Sequence, residues 1–128
     1  MILKLVFLVF LLSVPLHQNK GFALERYSNI GLASWYGRKF QGKKTASGRL
    51  FDMHEFTAAH KFLPFGTIVK VVNLRNGKEV LVNIIDRGPF SKKRIIDLSH
   101  AAAKSIGLVK KGIPDQERNF ILKVMAVK

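Results

Sequence analysis

The middle of the chain leaves little conformational choice. Residues 67–74 and 79–85 are rich in β-branched and apolar side chains, and Asn76-Gly77 stands between them. Both turn residues tolerate positive φ, so this pattern predicts an antiparallel hairpin. The returning strand ends in Ile84-Ile85-Asp86-Arg87-Gly88-Pro89-Phe90, a carboxylate closing an apolar run just before a Gly-Pro turn. Burial would favour the neutral carboxyl, while Arg87, if it turned inward, would favour the anion. A carboxylate placed this way can work as a general acid or base. The structural reading is equally simple: Asp86 caps the turn and pairs with Arg87.

The rest of the chain adds short strands. Residues 30–36 alternate small and large apolar side chains as a first strand, followed by a polar loop over 37–49. Residues 94–98 form another strand. Ser99 reads as the N-cap of a helix from His100 to about Ile106, ended by Gly107. Gly112-Ile113-Pro114 marks a turn, and residues 120–127 alternate as a closing strand. The expectation is a mainly β fold, a small barrel with one or two short helices.

Residues 1–4 carry one positive charge, residues 5–16 are almost wholly apolar, and Gly21-Phe22-Ala23 offers small residues at a cleavage site. This reads as a secretory signal over 1–23, too short for a membrane span, with no membrane anchor left after cleavage. A tether over 24–29 and a single domain over 30–128 would follow. The whole chain has 22 Lys and Arg against 8 Asp and Glu, and the charge stays at +12 after Lys4 and Lys20 leave. An exported basic domain is drawn to anionic polymers, which outside the cytoplasm means cell-wall glycopeptide, teichoic acid or lipid headgroups rather than nucleic acid. The chain has no cysteine. Packing alone must hold the fold, and thiol catalysis, thiolate metal sites and N-terminal lipidation are excluded.

Chemistry-bearing residues are few. His17 leaves with the signal, His100 opens the helix as a solvated side chain, and His54 lies beside Asp52 on the surface. His60 follows Thr57-Ala58-Ala59, whose small side chains leave room around the imidazole. A lone histidine there is either a satisfied structural group or a catalytic one. His54, His60, Asp52 and Asp86 could be written as a zinc set, but no pair has the spacing of a helical site, so no metal and no cofactor is expected. Trp35 and Tyr36 can stack on a sugar ring, or sit in the core and at its rim. Lys43-Lys44, Lys92-Lys93-Arg94 and Lys110-Lys111 are solvated faces that together suit an extended anionic ligand.

These segments resemble a known family. Gly31-Leu32-Ala33-Ser34-Trp35-Tyr36-Gly37, Thr45-Ala46-Ser47-Gly48, Phe51-Asp52-Met53, Thr57-Ala58-Ala59-His60-Lys61, Val72-Asn73-Leu74, Asn76-Gly77, Asp86-Arg87-Gly88-Pro89-Phe90 and Ile95-Ile96-Asp97-Leu98-Ser99 occur in this order. They are similar to the RlpA (rare lipoprotein A) family, the septal-ring lytic transglycosylases of bacteria. The resemblance implies a six-stranded double-psi β-barrel, as in expansins. It also implies a peptidoglycan substrate, septal partners, and catalytic roles for Asp86 and His60. Candidate substrate contacts are Trp35, Tyr36, Arg49, Asp52 and Arg87. Arg49 departs from the family pattern, which has an active-site glutamate there. The chain also lacks the family's lipidated cysteine and stops after the barrel, without the glycan-binding SPOR domain. Two functions follow as expectations. The first is a monomeric, periplasmic enzyme that cleaves the MurNAc–GlcNAc bond and leaves a 1,6-anhydro end. The second, favoured by Arg49, is an expansin-like module that binds peptidoglycan without cutting it.

Overall fold

The computed structural model describes residues 27–109 and 120–128. The signal segment, the first part of the tether and the 112–114 turn lie outside them. The elements are β1 (Ser28–Trp35), a single 3-10 turn (Arg38–Phe40), β2 (Thr57–His60), β3 (Ile68–Asn73), β4 (Glu79–Asp86), β5 (Arg94–Leu98), α1 (His100–Ser105) and β6 (Phe120–Ala126). The six strands close into a barrel in the order β1-β5-β2-β4-β3-β6.

Local chemistry accounts for most of these elements. β3 and β4 pair antiparallel, and Gly77 turns the hairpin with φ +72. The Ser99 hydroxyl accepts from the Ala102 N–H at 3.2 Å and caps α1, which ends before Gly107 at φ +80. Asn73 and Asn76 of the hairpin each donate a side-chain amide to the Ile106 carbonyl, at 2.8 and 3.0 Å. The hairpin thereby satisfies a backbone acceptor that the end of a helix leaves open. β1 begins at Ser28, inside the segment expected as tether. β2 had no forewarning in the sequence: its four residues are all buried, so the alternation that announces a strand is missing.

Val69 and Val71 of β3, Val82 and Ile84 of β4, Ile96 and Leu98 of β5, and Leu122 and Val124 of β6 fill the barrel. Burying one such side chain contributes about 1.5–3 kcal/mol, which lets a cysteine-free barrel hold itself together by packing. Two pairings are irregular. The β1–β5 register shifts between Leu32 and Ala33, and the β2–β4 register shifts between Ala58 and Ala59. At the second, Ala58 faces Ile84 but Ala59 faces Asp86, so Ile85 is the extra residue of a bulge.

Candidate active site

That bulge decides where Asp86 points. Val82 and Ile84 face the core, and strict alternation would put Asp86 there too. With Ile85 inserted, Asp86 instead comes level with Ala59. Ala59 pairs with Asp97 on β5, and Asp97 pairs with Ser34 on β1. Ser34, Asp97, Ala59 and Asp86 therefore form one row across adjacent strands. Their neighbours Ala33, Ile96, Ala58 and Ile84 all line the core, so the row faces outward. The backbones of Asp86 and Asp97 stand roughly 10 Å apart across it, with Ala59 between and Gly88 against Ala59 and Asp97.

Three donors hold Asp86. The Tyr36 hydroxyl donates to Oδ2 at 2.9 Å, and the backbone N–H groups of Ala46 and Arg87 each donate to Oδ1 at 2.9 Å. Tyr36 arrives at the end of β1, where its N–H bonds the Leu98 carbonyl at 2.8 Å. Its ring packs against Phe40 and Phe51. Burial and the nearby Asp86 carboxylate push its phenol far above the ordinary range, so it stays a donor. Ala46 belongs to the Thr45–Gly48 turn, which Gly48 closes at φ +90 and which Ser47 ties to the Ile85 carbonyl at 3.2 Å.

Asp97 is the second carboxylate of the row and was given no role from sequence. Arg94 donates Nη1 to its Oδ1 at 2.6 Å, and the Ser34 hydroxyl bonds the same oxygen. Arg94 also bonds Ser34. The signal was available, because Asp97 interrupts an apolar strand just as Asp86 ends one.

His60 lies on the other side of the wall. It pairs with Ile96, a core residue, and is 1% exposed. Nδ1 accepts the N–H groups of Phe62 and Leu63, at 3.2 and 3.1 Å, which leaves the ring proton on Nε2 to donate to the Tyr27 hydroxyl at 2.9 Å. Burial, reinforced by the charges of Arg87 and Lys61, lowers its pKa to about 4, so the ring is neutral. The structure does not bring this imidazole to Asp86. The link between the two runs through the backbone: Arg87 donates Nη1 to the carbonyls of Leu63 and His60, at 2.8 and 3.3 Å, and lies 4.0 Å above the Phe65 ring. Arg87 thus turns away from the Asp86 carboxylate and offers it only a backbone N–H.

The remaining sequence candidates are spread around this row. Arg49 follows the Thr45–Gly48 turn, and its half-exposed guanidinium is 3.4 Å from Glu55. Asp52 accepts from the His54 N–H at 3.0 Å and from Gln41 at 3.3 Å, which hold its carboxyl below the usual range. It serves as a turn cap there. Trp35 packs on the core with its ring against that of His100, which is half-buried rather than solvated. The zinc set does not converge, since His60 and Asp86 occupy opposite faces. Among the described residues no group of three or more His, Cys, Asp or Glu is placed to hold a metal ion.

A family model described as lytic transglycolase matches residues 28–115. The endolytic peptidoglycan transglycosylase RlpA of Haemophilus influenzae is 59% identical over 87 residues, covering 68% of this chain and 30% of that protein. The protein of the same name from Neisseria meningitidis serogroup B is 52% identical over 86 residues, 67% of this chain and 36% of that one. The chain thus spans about a third of the length of these curated relatives. Among solved structures, the Streptomyces papain inhibitor superposes with a TM-score of 0.62 at 21% identity, over 80% of this chain and 96% of that one. An apo expansin of Clavibacter michiganensis gives 0.58 at 18% identity, over 80% of this chain and 51% of that one. The barrel is a double-psi β-barrel.

Proposed function

This chain belongs to the lytic transglycolase family of RlpA-like double-psi barrels, and from that premise we propose that it is an endolytic peptidoglycan transglycosylase. The observation that carries the reading is Asp86, turned outward by the Ile85 bulge, fixed by Tyr36, Ala46 and Arg87, and part-exposed at the end of a row whose other members are buried.

The substrate is the β-1,4 bond between N-acetylmuramic acid and N-acetylglucosamine. Asp86, entering protonated, gives its proton to the glycosidic oxygen as the bond from muramoyl C1 breaks. The C6 hydroxyl oxygen of the same muramoyl residue then attacks C1, and Asp86, now a carboxylate, takes the hydroxyl proton. A 1,6-anhydro end results, no water is consumed, and one carboxylate serves as acid and then as base. Tyr36 keeps its proton, donates to Oδ2 and orients the carboxylate that forms. Asp97, neutralised by Arg94 and bonded by Ser34, braces the β1–β5 side of the row instead of titrating. His60 acts at one remove, because its carbonyl and the turn it organises hold Arg87. Arg49 departs from the glutamate that the family resemblance implies, so in this reading proton transfer rests on Asp86 alone. No cofactor or metal enters these steps.

The expected setting is the cell envelope or periplasm, after export on residues 1–23. The partners are glycan strands and septal proteins, and the protein acts as a monomer. The second reading, a binding module that cuts nothing, draws on Arg49 and its charge reversal. One experiment separates them. Purified protein incubated with sacculi releases anhydro-muropeptides in the first case and only sediments with the wall in the second. Sedimentation without anhydro products would sink the enzymatic reading.

A further inference from the structure

Four residues beyond Asp86 a large apolar ring stands in water. Phe90 is 93% exposed, more than any other large apolar side chain among the described residues. Its loop is anchored all the same, because Gly88 and Pro89 just before it are buried. A Cβ built on Gly88 would stand 3.9 Å from Phe90 Cε2, and equally 3.9 Å from Asp97 Oδ2 and from Ala59 Cβ. Gly88 thus lies between the Phe90 ring on one side and Asp97 and Ala59 of the row on the other. Lys92 and Lys93 follow, both exposed.

We propose that this loop is a sugar subsite next to the scissile bond, with Phe90 as the stacking platform and Lys92 and Lys93 as readers of the muramic carboxylate. A pyranose presents a face of C–H groups that packs on an aromatic ring, and covering such a ring removes apolar area from water. The sugar adjoining the bond at Asp86 has to lie over whatever borders the row, and Phe90 is the most exposed aromatic group near it. Muramic acid differs from N-acetylglucosamine by a lactyl ether. That ether ends in a carboxylate when it carries no peptide, and in an amide leading to peptide carboxylates when it does. Exposed ammonium groups beside the platform favour either form over an uncharged sugar by an attraction that salt screens. The loop would thus distinguish a muramic strand from a chitin-like polymer of the same backbone.

This inference rests on the glycan reading of Asp86, and its test is kept apart from turnover. The full chain carrying Asp86→Asn is titrated with three probes: a hexamer of β-1,4-linked N-acetylglucosamine, amidase-stripped glycan strands and peptide-bearing strands. Adding Phe90→Ala should weaken all three by on the order of tenfold, while Phe90→Trp should keep affinity near the starting value. Replacing Lys92 and Lys93 together with Gln should leave the uncharged hexamer unaffected and weaken the muramic strands by a few-fold at low salt. A loss confined to stripped strands assigns the lysines to the lactyl carboxylate, and a loss confined to peptide-bearing strands assigns them to the peptide. Phe90→Ala with unchanged binding to every probe would overturn the subsite. Phe90-dependent glycan binding by a protein whose wild type releases no anhydro product would leave the subsite standing and remove the enzyme.

Discussion

Asp86 and His60 lie on paired strands within a residue of one another in register, yet they face opposite sides of the barrel wall. Asp86 points outward and is held by groups that leave it within reach of a ligand. His60 points inward, and both of its ring nitrogens are spent on Tyr27 and the Phe62–Leu63 turn. One region is arranged to exchange a proton with something outside the protein, and the other is arranged so that its proton never moves. Proximity along the strands therefore says little about shared chemistry. The face a side chain occupies says more, and a single bulge residue sets it.

The contrast can be broken most directly at Asp86. Asp86→Asn keeps the shape and an acceptor for the Ala46 and Arg87 N–H groups, loses the acceptor for Tyr36 and cannot deliver a proton, so anhydro-muropeptide release should fall by on the order of a thousandfold or more. Circular dichroism should be unchanged. Near-normal turnover would mean that another group carries the proton. Arg49→Glu comes next. In the enzymatic reading it returns a second acid to the loop above the row and raises turnover by up to on the order of a hundredfold. If the protein only binds, the same change weakens sacculus binding and yields no product.

The third prediction concerns the inward region, and here the readout is stability. His60 titrates at about 4 in the folded chain, below its ordinary value of 6.5, so protons prefer the unfolded state. The stability conferred by the neutral ring is complete above about pH 6.5 and is lost as the pH falls toward 4. Between pH 7 and pH 5 this amounts to about 2 kcal/mol. Urea titrations at the two pH values should show that difference in the wild type and a clearly smaller one in His60→Gln. A pH-rate profile of product release that followed His60 instead would place the imidazole in the reaction. The smallest effect is expected at Tyr36→Phe, which removes one donor from Asp86 and should cost roughly tenfold in turnover with little change in sacculus binding.

What could be read from the sequence was whatever short-range chemistry decides. The Asn76-Gly77 hairpin, the Ser99 cap and the placement of Asp86 at a strand end each follow from a few neighbouring residues, and the structure has all three. β2 was not legible, since Thr57 to His60 are covered on both faces and show no alternation. Nor was the Ser34–Asp97–Ala59–Asp86 row. It is assembled from pairings between strands distant in sequence and depends on the Ile85 bulge, for which no local residue preference speaks. The role of Tyr27 was hidden for a related reason: it lies in a stretch that reads as tether, and only the closed barrel brings its hydroxyl over His60. Arg87 could be placed next to Asp86 from sequence, but its side chain is satisfied by the carbonyls of His60 and Leu63.

The closure of the barrel by its first and last strands has a mechanical consequence. β1 and β6 run antiparallel, and their outermost rung joins Ser28 to Met125. The chain therefore enters and leaves the barrel side by side. Tension applied between those two points peels the strands apart one rung at a time, beginning at Ser28, rather than shearing the whole ladder at once. Ser34 and the carboxylate row lie beyond the last of those rungs, which joins Ala33 to Phe120. A domain held by either end against a wall under strain would fray first at its attachment and keep its reactive flank intact until the seam had opened along its length.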